Sequence, residues 1–130
     1  MKNRACDELV MEIGELILRC EDYQNDLWWG LSVVGDFAYG DTSMTGYIYY
    51  YKGGYEAALP ESDTMRKIRA LRAEMEKLEE KSWHQCLIHI TRPHYKMNIQ
   101  FEYNEPERWS LSNKSLGGIG EFAERLKPGA

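Results

Sequence analysis

The sequence predicts an α+β domain, in which an antiparallel sheet of four to five strands has helices packed mainly on one face. In some segments the apolar residues recur every three to four positions, as in a helix, and in others apolar and polar residues alternate, as in a strand. These segments follow one another in the order α-β-β-(β)-α-β-β-α. Two strand segments, 83–91 and 96–103, also form a clear hairpin pattern. With 130 residues, 43% of them hydrophobic, we expect one domain over residues 1–130.

The first half of the chain supplies one helix and two or three strands. Residues 5–22 predict a helix, because apolar side chains recur along one face. Residues 27–39 and 45–52 predict strands, and 55–59 predicts a short third strand. Under strict alternation, one face of the first strand carries Leu27, Trp29, Leu31, Val33 and Phe37.

The second half predicts a helix, a hairpin and a final helix. Residues 62–81 carry an apolar stripe on an otherwise charged segment, which is typical of a surface helix. In the hairpin, the second strand alternates polar residues with apolar ones, so one of its faces is expected to be buried. A short helix is expected at the end of the chain, after the glycines that follow Leu116.

The composition indicates the compartment in which the protein is expected to act and the charge expected of its partner. The first twenty residues contain no long apolar run, so we expect neither a signal peptide nor a membrane span, and a cytoplasmic protein. The three cysteines, an odd number, fit reduced thiols. The net charge of -5 disfavours a protein that tracks phosphates and favours a basic partner.

No motif predicts catalysis, a cofactor or a metal site. The sequence lacks a nucleophile elbow, and its paired carboxylates look like solvated surface charge. The glycines of 117–121 lack the spacing and the lysine of a phosphate-binding loop. Four metal-ligand types lie close together but without zinc-type spacing, namely His84, Cys86, His89 and His94.

The strand 45–52 is unusual because four of the five residues from 47 to 51 are tyrosines. Tyr47 and Tyr49 share one face with Tyr51, and we expect that face to be presented outward. Exposed aromatic rings on a sheet stack on RNA bases in some proteins, but few basic residues surround this strand. Protein interfaces favour tyrosine, and packing between sheet and helix with hydroxyls at the rim is the alternative.

Three stretches of the chain resemble those of a known family: the aromatic strand GYIYYYK, the helix near 62–81, and the segment from Trp83 to Trp109, with its Phe-Glu-Tyr strand end and acidic loop. The family that they resemble consists of small bacterial immunity proteins. The family is the YezG-type group, with related immunity proteins of contact-dependent growth inhibition and polymorphic-toxin systems. It implies a stoichiometric inhibitor that binds a cognate toxin domain, expected to be a basic nuclease and in many such systems a tRNase.

The resemblance implies a protein interface and no catalytic residue. Tyrosines would supply anchors, and carboxylates would pair with the toxin's Lys and Arg. From the hairpin rim and the expected outward strand positions, the predicted toxin contacts are Asp36, Asp41, Tyr47, Tyr49, Glu102, Glu105 and Glu107.

Two other classes of function stay open at this point. One is a generic intracellular interaction domain or adaptor, which the position of the gene next to a toxin gene would argue against. The other is a small enzyme or RNA binder, which salt-sensitive nucleic-acid binding would support.

Overall fold

The computed structural model describes residues 4–40, 42–110 and 118–129. It has the predicted α+β architecture, with three helices and a five-stranded antiparallel sheet. Predicted contact residue Asp41 lies outside the described residues. The helices are α1 (Arg4–Arg19), α2 (Ser62–Glu79) and α3 (Gly118–Leu126), and the strands are β1 (Trp28–Asp36), β2 (Ser43–Tyr50), β3 (Tyr55–Ala57), β4 (Gln85–Thr91) and β5 (Lys96–Glu102).

The sheet has the order β3-β2-β1-β4-β5, so β1 lies at its centre. Every pair of neighbouring strands is antiparallel, which means that β1 and β5 run in the same direction and end at the same edge. Their last residues, Asp36 and Glu102, both pair with Gln85 of β4. Three polar residues therefore form one row across the end of the sheet.

Helices α1 and α2 cover one face of the sheet. Their buried residues, such as Ile13, Ile17 and Ile68, join Leu31 and Ile88 of the sheet in the larger core cluster. The two helices lie antiparallel, because Lys67 of α2 bonds Glu12 of α1 at 2.7 Å while the end of α1 approaches the start of α2. The apolar stripes read from the sequence thus face the sheet.

Helix α3 covers the opposite face. Phe122, Ala123 and Leu126 pack on Val34 and Leu87 of the sheet and form a second, smaller core cluster. The helix is short, and its burial depends on the aromatic side chains that β2 presents to it. None of the helices in the described ranges is long and apolar enough to cross a membrane.

Strict alternation along β1 is wrong at one position. Trp28 pairs with Tyr50 and Gly30 pairs with Tyr49, so Trp29 is an extra residue in the ladder, a β-bulge. The bulge moves Trp29 to the α3 face, while Trp28 lies fully buried with the α1–α2 core. Leu27 precedes the strand and is exposed.

Candidate binding surface

Four of the five acidic residues predicted as contacts are described by the structure, and these four converge on one end of the sheet. Asp36 ends β1 and Glu102 ends β5, and the loop that follows β5 carries Glu105 and Glu107. Because β1 and β5 end at the same edge, residues far apart in sequence lie side by side. This convergence follows from the pairing of β1, β4 and β5. The hairpin pattern in the sequence indicated only the residues of β5 and of the loop after it.

A buried glutamine ties the loop to the sheet. The Gln85 side-chain amide donates to Asp36 Oδ2 at 3.1 Å and to Ser110 Oγ at 2.8 Å. Its Oε1 accepts the backbone N–H of Trp109 at 2.8 Å. Asp36 Oδ1 also accepts the N–H of Ala38 at 2.9 Å. A buried amide with all these partners fixes the geometry around it, because breaking one bond would leave a polar atom unpaired.

Glu102 organises the start of the loop from within. Its Oε2 accepts the backbone N–H groups of Asn104 at 3.0 Å and Glu105 at 3.1 Å, and its Oε1 lies 3.3 Å from Arg108 Nη1. These backbone donors, aided by Arg108, lower the pKa of the carboxyl group. The side chain is only 12% exposed. Glu102 and Asp36 therefore act as supports of the loop.

Exposed carboxylates line both walls of a groove at this end of the sheet. A groove of about 1100 Å³ runs between the loop 104–109 and the outer side of α3. Its charged lining consists of four carboxylates and two guanidinium groups, and one of the latter, Arg108, already contacts Glu102 and Glu105. The carboxylates belong to Glu105, Glu107, Glu121 and Glu124.

Tyr39 lies beside this groove and was not among the contacts predicted from the sequence. It is 76% exposed, and its backbone adopts a left-handed conformation with φ 60°. Desolvation, Glu107 and Asp36 raise the pKa of its hydroxyl, which places the ring next to Glu107. A bulky residue rarely adopts this conformation, and such outliers cluster at functional sites. The signal in the sequence was the tyrosine directly before Gly40, in a segment interpreted as the end of a strand. We call Tyr39 and the four groove carboxylates the acidic end surface.

The expectation that Tyr47 and Tyr49 face outward is wrong. They are 5% and 2% exposed and lie beneath α3. Tyr49 donates its hydroxyl to the backbone oxygen of Ala123 at 2.7 Å and lies 3.1 Å from Ser32 Oγ. Tyr47 packs edge-to-face on Phe122 with ring centroids 6.0 Å apart. The aromatic face of β2 is buried because the apolar side of the amphipathic helix α3 packs against it.

The histidines and cysteines do not come together in the structure. Cys86 lies in the core beneath α1 and α2, and His89 lies on the other face with its Nε2 2.6 Å from the Leu126 oxygen. Within 4–40, 42–110 and 118–129, no cluster of three or more His, Cys, Asp or Glu side chains could hold a metal ion.

Comparisons with known proteins give no relative from which a function could be transferred. No protein-family model matches the sequence, and a search of curated proteins finds no match.

Proposed function

We propose that this chain is an immunity-type inhibitor that binds a basic toxin domain, expected to be a nuclease, through the acidic end surface. The observation that carries the proposal is the groove between the loop 104–109 and α3, where four carboxylates line a surface held in place from below. The net charge of -5 adds a long-range attraction for a basic partner.

The rigidity of the loop favours tight binding. Binding orders side chains and loops at a cost in free energy, and a surface that is already ordered avoids much of it. Gln85 and Glu102 fix the backbone of the loop through their hydrogen bonds to Trp109, Asn104 and Glu105. A lethal toxin demands such tight binding, because even a small free fraction would act on the cell.

Each residue of the surface has an expected role. Glu105 and Glu107 would pair with Lys or Arg side chains of the toxin, with Glu121 and Glu124 on the opposite wall of the groove. The exposed ring of Tyr39 would be the central anchor, since tyrosine dominates many interfaces. Asp41 stays a predicted contact. Tyr47 and Tyr49 are buried and are no longer included.

On this proposal the chain acts by occupying the toxin and catalyses no reaction. It needs no cofactor, it acts in the cytoplasm where the toxin arrives, and it does not itself bind nucleic acid. The charge argument supports the last point, because the carboxylates of the groove would repel a phosphate backbone.

Co-expression tests the proposal. The domain encoded directly upstream of the chain's gene, which on this proposal is the toxin, is expressed with wild-type chain, with Glu105→Lys plus Glu107→Lys, or with Glu21→Lys plus Asp26→Lys. The last variant makes the same change in charge at exposed positions before β1, at the other end of the sheet.

We expect cells to survive with the wild type and with the Glu21/Asp26 variant and to die with the Glu105/Glu107 variant. Death with the wild type would reject the proposed function. Full protection by the Glu105/Glu107 variant would reject the acidic end surface as the binding site.

A further inference from the structure

A second groove lies on the other side of the molecule and is predominantly apolar. It has a volume of about 480 Å³. Its walls come from the start of α1 and the end of α2, and its floor comes from β5. The apolar side chains that shape it are Val10, Met11, Met75, Leu78, Ile99 and Phe101.

The groove leaves large apolar side chains in contact with solvent. Met11 is 68% exposed and Leu78 is 41% exposed, one on each wall. Methionine side chains adapt their shape to a partner and recur on surfaces that bind amphipathic helices. An apolar concave surface between two helices therefore favours an apolar occupant.

The charges of the groove specify the occupant further. The two charged residues that line it, Asp7 and Glu79, are both acidic. Burial raises the pKa of the Cys6 thiol, and the carboxylates of Glu74, Asp7 and Glu79 raise it further, so the potential inside the groove is negative. The nearby Lys81 lies on the ring of Tyr103, 4.5 Å from its centroid.

We propose that this groove binds an amphipathic helix of a partner protein, with its apolar side chains between α1 and α2 and its Lys or Arg side chains beside Asp7 and Glu79. The lining residues that reach the surface run from Met75 to Glu79 on α2 and from Cys6 to Met11 on α1, about one to two helical turns on each wall. An occupant of matching length therefore presents one to two turns of apolar residues.

This site is separate from the acidic end surface. The acidic end surface is formed by Tyr39, the loop after β5 and α3, whereas the apolar groove involves α1, α2 and β5 on the other face of the sheet. The two sites share no lining residue. The inference therefore stands or falls independently of the proposed function.

A synthetic peptide tests the groove. The probe is a fluorescein-labelled amphipathic helix of Leu and Lys, about 18 residues long so that it can form a helix. One control peptide has the same residues in an order that separates the leucines, and another has Glu in place of Lys. Binding is followed by fluorescence anisotropy at about 0.15 M salt, where long-range attraction is screened beyond about 8 Å.

The matched protein variants change exposed apolar residues inside and outside the groove. Met11→Ser plus Leu78→Ser removes two apolar side chains from the walls, and Leu27→Ser plus Leu59→Ser removes two exposed leucines that do not line it. We expect the Leu/Lys helix to bind the Leu27/Leu59 variant as it binds the wild type, and to bind the Met11/Leu78 variant at least tenfold more weakly.

The charge is tested in the same assay. Asp7→Asn plus Glu79→Gln should weaken the Leu/Lys helix at least threefold, and the Leu/Glu helix and the reordered peptide should bind at least tenfold more weakly than the Leu/Lys helix. Equal binding of the Leu/Glu helix would overturn the proposed chemistry.

Three other results would overturn the site or its occupant. The first is an unchanged affinity in the Met11/Leu78 variant. The second is a loss of affinity in Glu105→Lys plus Glu107→Lys with no loss in the Met11/Leu78 variant, which would place the peptide on the acidic end surface. The third is a wild-type dimer in sedimentation equilibrium that the Met11/Leu78 variant abolishes, which would make a second copy the occupant.

Discussion

The hydroxyl group of Tyr49 should contribute measurably to stability, although tyrosine and phenylalanine fill nearly the same volume. It donates to the Ala123 oxygen at 2.7 Å and lies 3.1 Å from Ser32 Oγ. Ala123 is near the end of α3, where the helix itself cannot supply a donor, since Lys127 N–H bonds Glu124 instead. The hydroxyl therefore joins β2 to both β1 and α3.

Tyr49→Phe removes this group and leaves two buried polar atoms unpaired. Leaving a buried donor or acceptor unsatisfied costs about 1–3 kcal/mol, so we expect a loss of about 2 kcal/mol in the free energy of unfolding. With a dependence on urea of about 2 kcal/mol per molar, the unfolding midpoint should fall by about 1 M.

Equilibrium urea unfolding, followed by circular dichroism, measures this change. Tyr51→Phe is the control, because Tyr51 is exposed in the turn after β2 and should change the midpoint by less than about 0.2 M. Adding Ser32→Ala to Tyr49→Phe removes one of the unpaired atoms and should restore part of the loss. Hydrogen exchange of the α3 amides should accelerate more than that of the sheet amides.

A Tyr49→Phe midpoint within about 0.2 M of wild type would refute the reasoning. It would mean that water or another donor satisfies the Ala123 oxygen, and that α3 does not seal the aromatic face of β2.

Three further predictions each concern one residue. Burial lowers the pKa of His89, so the free energy of unfolding should be highest above the ordinary pKa of about 6.5 and should fall as the pH drops below that value. Urea unfolding at about pH 7.5 and pH 5.5 should show this loss of stability at the lower pH, and His89→Gln should make the loss smaller. Gly46→Ala places a Cβ 2.3 Å from the Ala58 oxygen, which should cost about 2–3 kcal/mol and lower the melting temperature. Tyr39→Gly relieves a left-handed backbone, so its urea midpoint should rise by roughly 0.5 M while its affinity for the toxin domain falls.

Much of the fold follows from local patterns in the sequence. The helical stripes predicted α1 and α2, because their inner positions pack on a single face of the sheet. The hairpin of β4 and β5 was predicted because its alternation is regular, and its register pairs Thr91 with Lys96 across the expected turn. These elements are determined by side chains within one segment, so one segment is enough to predict them.

The parts that sequence alone could not predict depend on contacts between segments. The bulge at Trp29 appears only when β1 is paired with β2. The orientation of Tyr47 and Tyr49 was ambiguous because alternation states which residues share a face but not which face α3 covers. Arg72 of α2 donates to the Trp83 oxygen at 2.7 Å, and this contact joins two segments that no local pattern relates.

The candidate surface was predicted in outline. Glu105 and Glu107 were found from their position on the hairpin rim, and they are exposed. Asp36 and Glu102 were also predicted as contacts, but their carboxylates bond backbone N–H groups of Ala38, Asn104 and Glu105. A sequence does not distinguish a carboxylate that holds a loop from one that the loop presents.

The most direct test of the acidic end surface is the rate at which the chain associates with its proposed toxin domain, the domain expected to be encoded upstream. The rate is measured by stopped-flow fluorescence at salt concentrations between about 0.05 and 0.5 M. We expect a wild-type association rate that falls steeply as salt rises, and a much slower rate with little salt dependence for Glu105→Lys plus Glu107→Lys. Equal rates and equal salt slopes for the two proteins would contradict the proposed role of the acidic end surface.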